Sequence, residues 1–171
     1  VLFRSLMTMA IAVGVWQMCH HAALVVQILF ATRVLGLSER AVGLSYVALG
    51  VGTIAASVVG HRLARRIGPG PALVAGFAVC GVGWLLLAAM PANAFGIAGF
   101  ALMLFMFGAG AVFLFINFLA LRQAVTPAPL LGRMTSTMRW LILLPAGPGA
   151  LAGGWVGEHL GLRATLCLSG V

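Results

Sequence analysis

Gln17, His20, His21 and Gln27 stand inside an otherwise apolar stretch early in the chain, and Asn117 stands inside another. A polar or ionisable group surrounded by hydrocarbon is costly, so each is a candidate for lining a water-filled cavity or holding a ligand. Imidazole exchanges protons near neutral pH, and a carboxamide offers both donors and an acceptor. On an ideal helix the four early residues point at about 0°, 300°, 40° and 280°, all within an arc of about 120°. They form one polar face. Midway between Gln17 and Gln27, at about 320°, His20 lies closer to the middle than His21, which makes His20 the expected cavity wall and His21 its margin. A neutral ring there would present one donor and one acceptor. The competing reading is that these residues, and Asn117 likewise, hydrogen-bond to neighbouring helices and hold a bundle together.

Other chemistry is poorly provided for. A nucleophile needs a base beside it, and no GxSxG or GxSG elbow is present, Ser169 in LSG being a weak substitute. The adjacent His20 and His21 aim about 100° apart on a helix, which does not converge on a metal. Cys19, Cys80 and Cys167 are dispersed without CxxC spacing and read as packing thiols. No catalytic residue, metal or cofactor is expected. An intramembrane enzyme and a non-transporting membrane scaffold are the alternative function classes.

The elements that position these residues follow from composition. Of 171 residues 63% are hydrophobic and 7% are charged, which excludes an ordinary water-soluble globule. About 20 apolar residues cross a bilayer, so the chain has room for about six helices. Apolar blocks between Gly, Pro and charge run over residues 6–31, 41–60, 71–90, 95–121 and 133–155, and a sixth, 163–171, is incomplete. Short connections such as HRLARRIGPG and RQAVTPAPLLG join them. The expected fold class is an all-α membrane protein, with the lipid bilayer as its first partner.

All ten basic residues are arginine, against two acids, giving a formal charge of +8. They sit between apolar blocks rather than on one basic face, which argues for membrane topology and against nucleic acid. With the N-terminus in the cytoplasm, Arg4, Arg62, Arg65, Arg66, Arg122, Arg133 and Arg139 fall inside, and Arg33, Arg40 and Arg163 outside. Without Arg4 the balance still favours that orientation. Arg139 can snorkel to the interface. The tryptophans read as packing or interfacial anchors, and most phenylalanines of the fourth block as lipid contacts. Val1 to Ser5 read like a translated sequencing adapter and are left out of the functional reasoning. With no initiator Met and a short last block, the expectation is a piece of a longer protein.

Small residues recur every fourth position at Ala48, Gly52, Ala56 and Gly60, and at Gly149, Gly153, Gly157 and Gly161. Such stripes let helices approach closely in lipid. They fall on the second and fifth blocks, equivalent places if six helices are two inverted repeats of three, and VGHRL at Val59 echoes VGEHL at Val156.

Three passages carry a resemblance: Leu35 to Gly68, a Gly-rich helix entering an arginine-rich turn; Arg122 to Trp140; and the glycine-laden Gly147 to Ala164. Together they resemble the C-terminal six-helix half of a major facilitator superfamily transporter, and are similar to exporters of the macrolide and enterobactin type. The resemblance implies a twelve-helix transporter whose N-terminal six-helix half lies outside this sequence. It implies antiport of small amphipathic or drug-like molecules out of the cell across a bacterial inner membrane. Gln17, His20, His21, Gln27 and Asn117 would then line the substrate cavity. Gly60, Leu63, Ala64, Arg65, Arg66 and Gly68 would form the cytoplasmic loop motif, with Arg65 where the family has an acid. The stretch Gly147 to Gly154 resembles the antiporter glycine motif with wider spacing and in the other half. No acid lies at membrane depth, so a coupling carboxylate would belong to the N-terminal half.

Overall fold

A computed structural model describes residues 2–171, except the side chains of residues 2–6, 94, 125 and 128. Val1 and the Arg4 side chain counted in the charge balance lie outside the described residues. Among the described residues seven α-helices follow in order: α1 Leu2–Leu29, α2 Glu39–Ile67, α3 Pro69–Ala89, α4 Ala94–Val125, α5 Leu131–Leu143, α6 Ala146–His159 and α7 Leu162–Gly170. A π-helical turn, Phe30–Val34, continues α1, and a 3-10 turn, Ala128–Leu130, precedes α5. Among the described residues there is no strand.

Among the described residues five stretches are long and apolar enough to cross a membrane: Met7–Val34, Glu39–Ile67, Pro69–Ala89, Phe95–Ala124 and Leu131–His159. Helices suit that setting because each satisfies its own backbone where no water can. The outward face of α2 exposes Leu44, Val47, Val51, Ile54 and Val58. So large an apolar surface is an aggregation hazard in water and ordinary in hydrocarbon.

Local chemistry sets the ends. Ser38 accepts the Ala41 amide at 3.2 Å, and Glu39 adds negative charge to the first turn of α2. Asn93 caps α4 by accepting the Phe95 amide at 3.0 Å. Gly68 takes φ 87°, a left-handed conformation favouring glycine, and Pro69 opens α3 directly after it.

Two sequence boundaries need correction. The stretch from His61 to Ile67, expected as part of a loop, is the last two turns of α2, so Gly60, Leu63, Ala64, Arg65 and Arg66 are helical and only Gly68 lies at the turn. Arginine is a good helix former and its charge suits a helix C-terminus, so leaving the apolar block gives no reason to unwind before Gly68. Conversely, the fifth block is two helices. Leu144 and Pro145 interrupt it, because Pro145 and Pro148 lack the N–H groups that would bond the Leu141 and Leu144 carbonyls.

The helices pack in a reciprocal pattern. Helix α2 lies along α4, and the α5–α6 pair lies along α1; α3 packs on α4, α7 on α1, and α3 and α7 on each other. The close approaches run through small residues. A Cβ on Gly52 would strike the Phe105 backbone, and one on Gly108 the Leu49 backbone. On the other side, a Cβ on Gly149 would strike the Met18 backbone and one on Gly153 that of Ala22, while Gly14 sits under the Leu141 carbonyl. Gly60 and Gly157 face the Phe113 ring and the Val26 side chain.

Two apolar clusters fill the bundle. One gathers Phe30, Leu87, Phe100, Met103, Leu104 and Leu166; the other gathers Val13, Leu73, Leu114, Phe118, Met138 and Ile142. Arg163 fastens the first from outside. Its guanidinium donates to the Ala88 carbonyl at 3.3 Å and the Met90 carbonyl at 2.9 Å, covering the end of α3, and stands 5.6 Å from the Phe30 ring centre. A residue read from sequence only as a topology marker thus joins α7, α3 and α1.

Candidate functional site

Gln17, His20 and His21 fall on α1 between the residues that α1 gives to the two apolar clusters. The structure separates their roles. His20 enters an aromatic layer built from three helices: its ring stacks on Phe107 of α4 at 4.4 Å and on Trp16 at 5.5 Å, with Trp84 of α3 tilted at 6.0 Å. Phe77 and Phe115 meet Trp16 edge-on, the favoured geometry for a negative ring face. Among the described residues the buried Nδ1 of His20 has no hydrogen-bond partner. His20 also borders a cavity of about 290 Å³ between α1, α3 and α7, shared with Cys19, Gly81 and Ser169.

His21 is half-buried, its ring edge-on to His20 at 5.2 Å. Its Nδ1 lies 2.9 Å from the Gln17 carbonyl. A carbonyl only accepts, so Nδ1 carries the hydrogen, and in a neutral ring Nε2 keeps its lone pair for another donor. Gln17 is buried beneath it. Gln27, 2% exposed, donates from Nε2 to the Tyr46 hydroxyl at 3.0 Å, linking α1 to α2. Asn117 is buried as well and donates to the Phe113 carbonyl of its own helix at 2.7 Å. The five candidates are therefore not one cluster. Gln17, His20 and His21 lie together, whereas Gln27 and Asn117 are occupied elsewhere.

The contacts of α1 also locate its free side. Met18 and Ala22 meet α6, while Trp16 and His20 meet α3 and α4. His21 shares its remaining sector with Leu24 and Ile28, at about 340° and 20° on an ideal helix beside about 40° for His21. Leu24 and Ile28 are 41% and 47% exposed, so this sector is open on the turns that follow His21, while Gln17, one turn before it, is buried. Among the described residues no three of His, Cys, Asp and Glu come together as metal ligands.

Sequence reasoning did not find Tyr46, Trp16, Trp84 and Phe107 as partners of the polar residues. The pairs Gln27–Tyr46 and His20–Phe107 come from different helices, and a helical wheel of α1 carries no information about either. The Pro145 break did have a signal in PAGPG, where two prolines three residues apart remove two amides from one span. Compared with models of known protein families the sequence matches none, and comparison with curated proteins finds no match either.

Proposed function

We propose that the chain is the C-terminal six-helix half of a secondary active transporter of the major facilitator type, exporting small amphipathic molecules by alternating access. The observation that carries this reading is the reciprocal packing. Exchanging the first three spans with the last three turns α2 on α4 into α5–α6 on α1, turns α3 on α4 into α7 on α1, and maps the α3–α7 contact onto itself. The first of these exchanged pairs is sealed on both sides by a glycine against a backbone, Gly52 on α4 and Gly153 on α1. Because three spans reverse the chain's direction through a bilayer, such an exchange is an inverted repeat, the architecture that lets a bundle rock about a site near the midplane.

In this reading His21, with Gln17 behind it, faces the missing half and contributes to the substrate wall, while His20 holds α1 to α3 and α4. That reverses the order expected from the polar arc alone. The N-terminus lies in the cytoplasm of a bacterial cell, with Arg62, Arg65 and Arg66 at the inner surface.

Two results are expected. Cysteines placed singly between Arg62 and Pro69 in the intact protein react with an impermeant thiol reagent from the cytoplasmic side, and cysteines between Ser38 and Arg40 from the outside; the opposite pattern refutes the orientation. Liposomes containing the intact protein and loaded with ethidium, carboxyfluorescein or a neutral amphipathic dye should exchange at least one of these saturably, several-fold faster than empty liposomes. Leak no faster than empty liposomes for all three would remove the transporter reading.

A further inference from the structure

Arg139 of α5 lines a cavity that joins a cationic group to an apolar wall. It lies eight residues into the α5–α6 span, about 12 Å along the helix from Leu131. It is exposed and, among the described residues, forms no hydrogen bond, ion pair or ring contact. The chain's two carboxylates, Glu39 and Glu158, lie at the start of α2 and near the end of α6. Beside Arg139 opens a cavity of about 430 Å³, lined by Ser136, Arg139, Trp140, Leu143 and Leu144. The last of these begins the helix break at Pro145.

The face around this cavity is unlike a lipid-facing one. Met138 and Ile142 are buried on the core side of α5, whereas Arg133, Thr135, Ser136, Thr137 and Arg139 are all exposed. The three hydroxyls donate to carbonyls one turn back in their own helix, at 2.7 to 3.2 Å. Their hydrogens are thus occupied; of the two exposed guanidiniums of α5, Arg133 and Arg139, it is Arg139 that lines the cavity. An unpaired guanidinium beside an apolar wall is stabilised by an anion that it can grip with two parallel N–H groups. Trp140, Leu143 and Leu144 continue the same cavity as an apolar wall. Charge and shape together call for a carboxylate, sulfate or phosphate joined to an apolar body.

We infer that Arg139 binds the anionic group of an amphiphilic substrate whose apolar part lies along Trp140, Leu143 and Leu144. The substrate role rests on the transporter reading; the binding itself does not. The test uses the intact protein in nonionic detergent with dansylaminoundecanoic acid and its uncharged methyl ester, followed by dansyl fluorescence. The acid is expected to bind at least tenfold more tightly than the ester. Arg139→Gln should abolish that preference, while Arg139→Lys keeps part of it and Arg133→Gln all of it. Equal binding of acid and ester, or an undiminished preference in Arg139→Gln, overturns the proposal. So does displacement of the acid by phosphatidylglycerol nanodiscs but not phosphatidylcholine nanodiscs, which would assign the site to membrane lipid. A preserved acid preference in a protein that exchanges no dye would sustain the binding site and discard the transporter.

Discussion

Gly153→Ala is expected to destabilise the protein by about 1–3 kcal/mol, the usual cost of forcing an extra carbon into a packed interface, and Gly153→Ile to prevent α6 from seating at all. The reason is geometric: the added carbon would fall on the Ala22 backbone, which cannot rotate away as a flexible side chain can. Gly154, the next residue, faces open space, so Gly154→Ala should leave stability undiminished or raise it by up to about 1 kcal/mol, alanine being the better helix former. The inverted-repeat reading makes a stronger demand. Gly52→Ala, which would strike the Phe105 carbonyl, should cost about as much as Gly153→Ala, because the two glycines seal equivalent pairs. Thermal unfolding of the detergent-solubilised protein measures all four. If Gly153→Ala and Gly154→Ala behave alike, the packing described for α1 and α6 is wrong.

The second large effect separates neighbouring histidines. His20→Ala removes a partly buried ring that stacks on both Phe107 and Trp16 and should cost on the order of 1–3 kcal/mol, the upper part of the range for single substitutions. His20→Phe should restore most of that stability, since it refills the stack and removes the unpartnered Nδ1. His21→Ala loses a bond to its own helix and an edge-on contact with His20, its neighbour in the chain, and should fold normally. In the proposed transporter it should instead raise the substrate dissociation constant about tenfold, equivalent to about 1.4 kcal/mol. Comparing unfolding temperature with dye-exchange kinetics for the three variants distinguishes a packing residue from a ligand residue. A stable His20→Ala protein with weakened exchange would return the cavity role to His20.

How much of this could be read in advance depended on the range of the interaction. Apolar block lengths located the long helices, and Ser38, Gly68 and Asn93 mark ends whose chemistry is local. The small-residue stripes likewise lie on the faces that touch α1 and α4, because backbone approach in lipid needs small side chains at regular spacing. What escaped was set by distant partners. The wheel of α1 grouped His20 with Gln17 and Gln27, but two of the rings on His20, Trp84 and Phe107, come from other helices. Arg163 reaches carbonyls more than seventy residues away. The length of the fifth block suited one uninterrupted span, and only the missing amides of Pro145 and Pro148 divide it.

In the proposed transporter the open sector of α1 faces a cavity reached from both sides of the membrane in turn. The direct measurement places a single cysteine at His21 in the intact protein, with Cys19, Cys80 and Cys167 replaced by serine, and follows its reaction with an impermeant thiol reagent. Right-side-out and inside-out vesicles expose the two membrane faces separately. Alternating access predicts labelling from both faces, with conditions that raise the rate from one face lowering it from the other. A cysteine protected from both faces, or permanently open to one alone, would contradict the account.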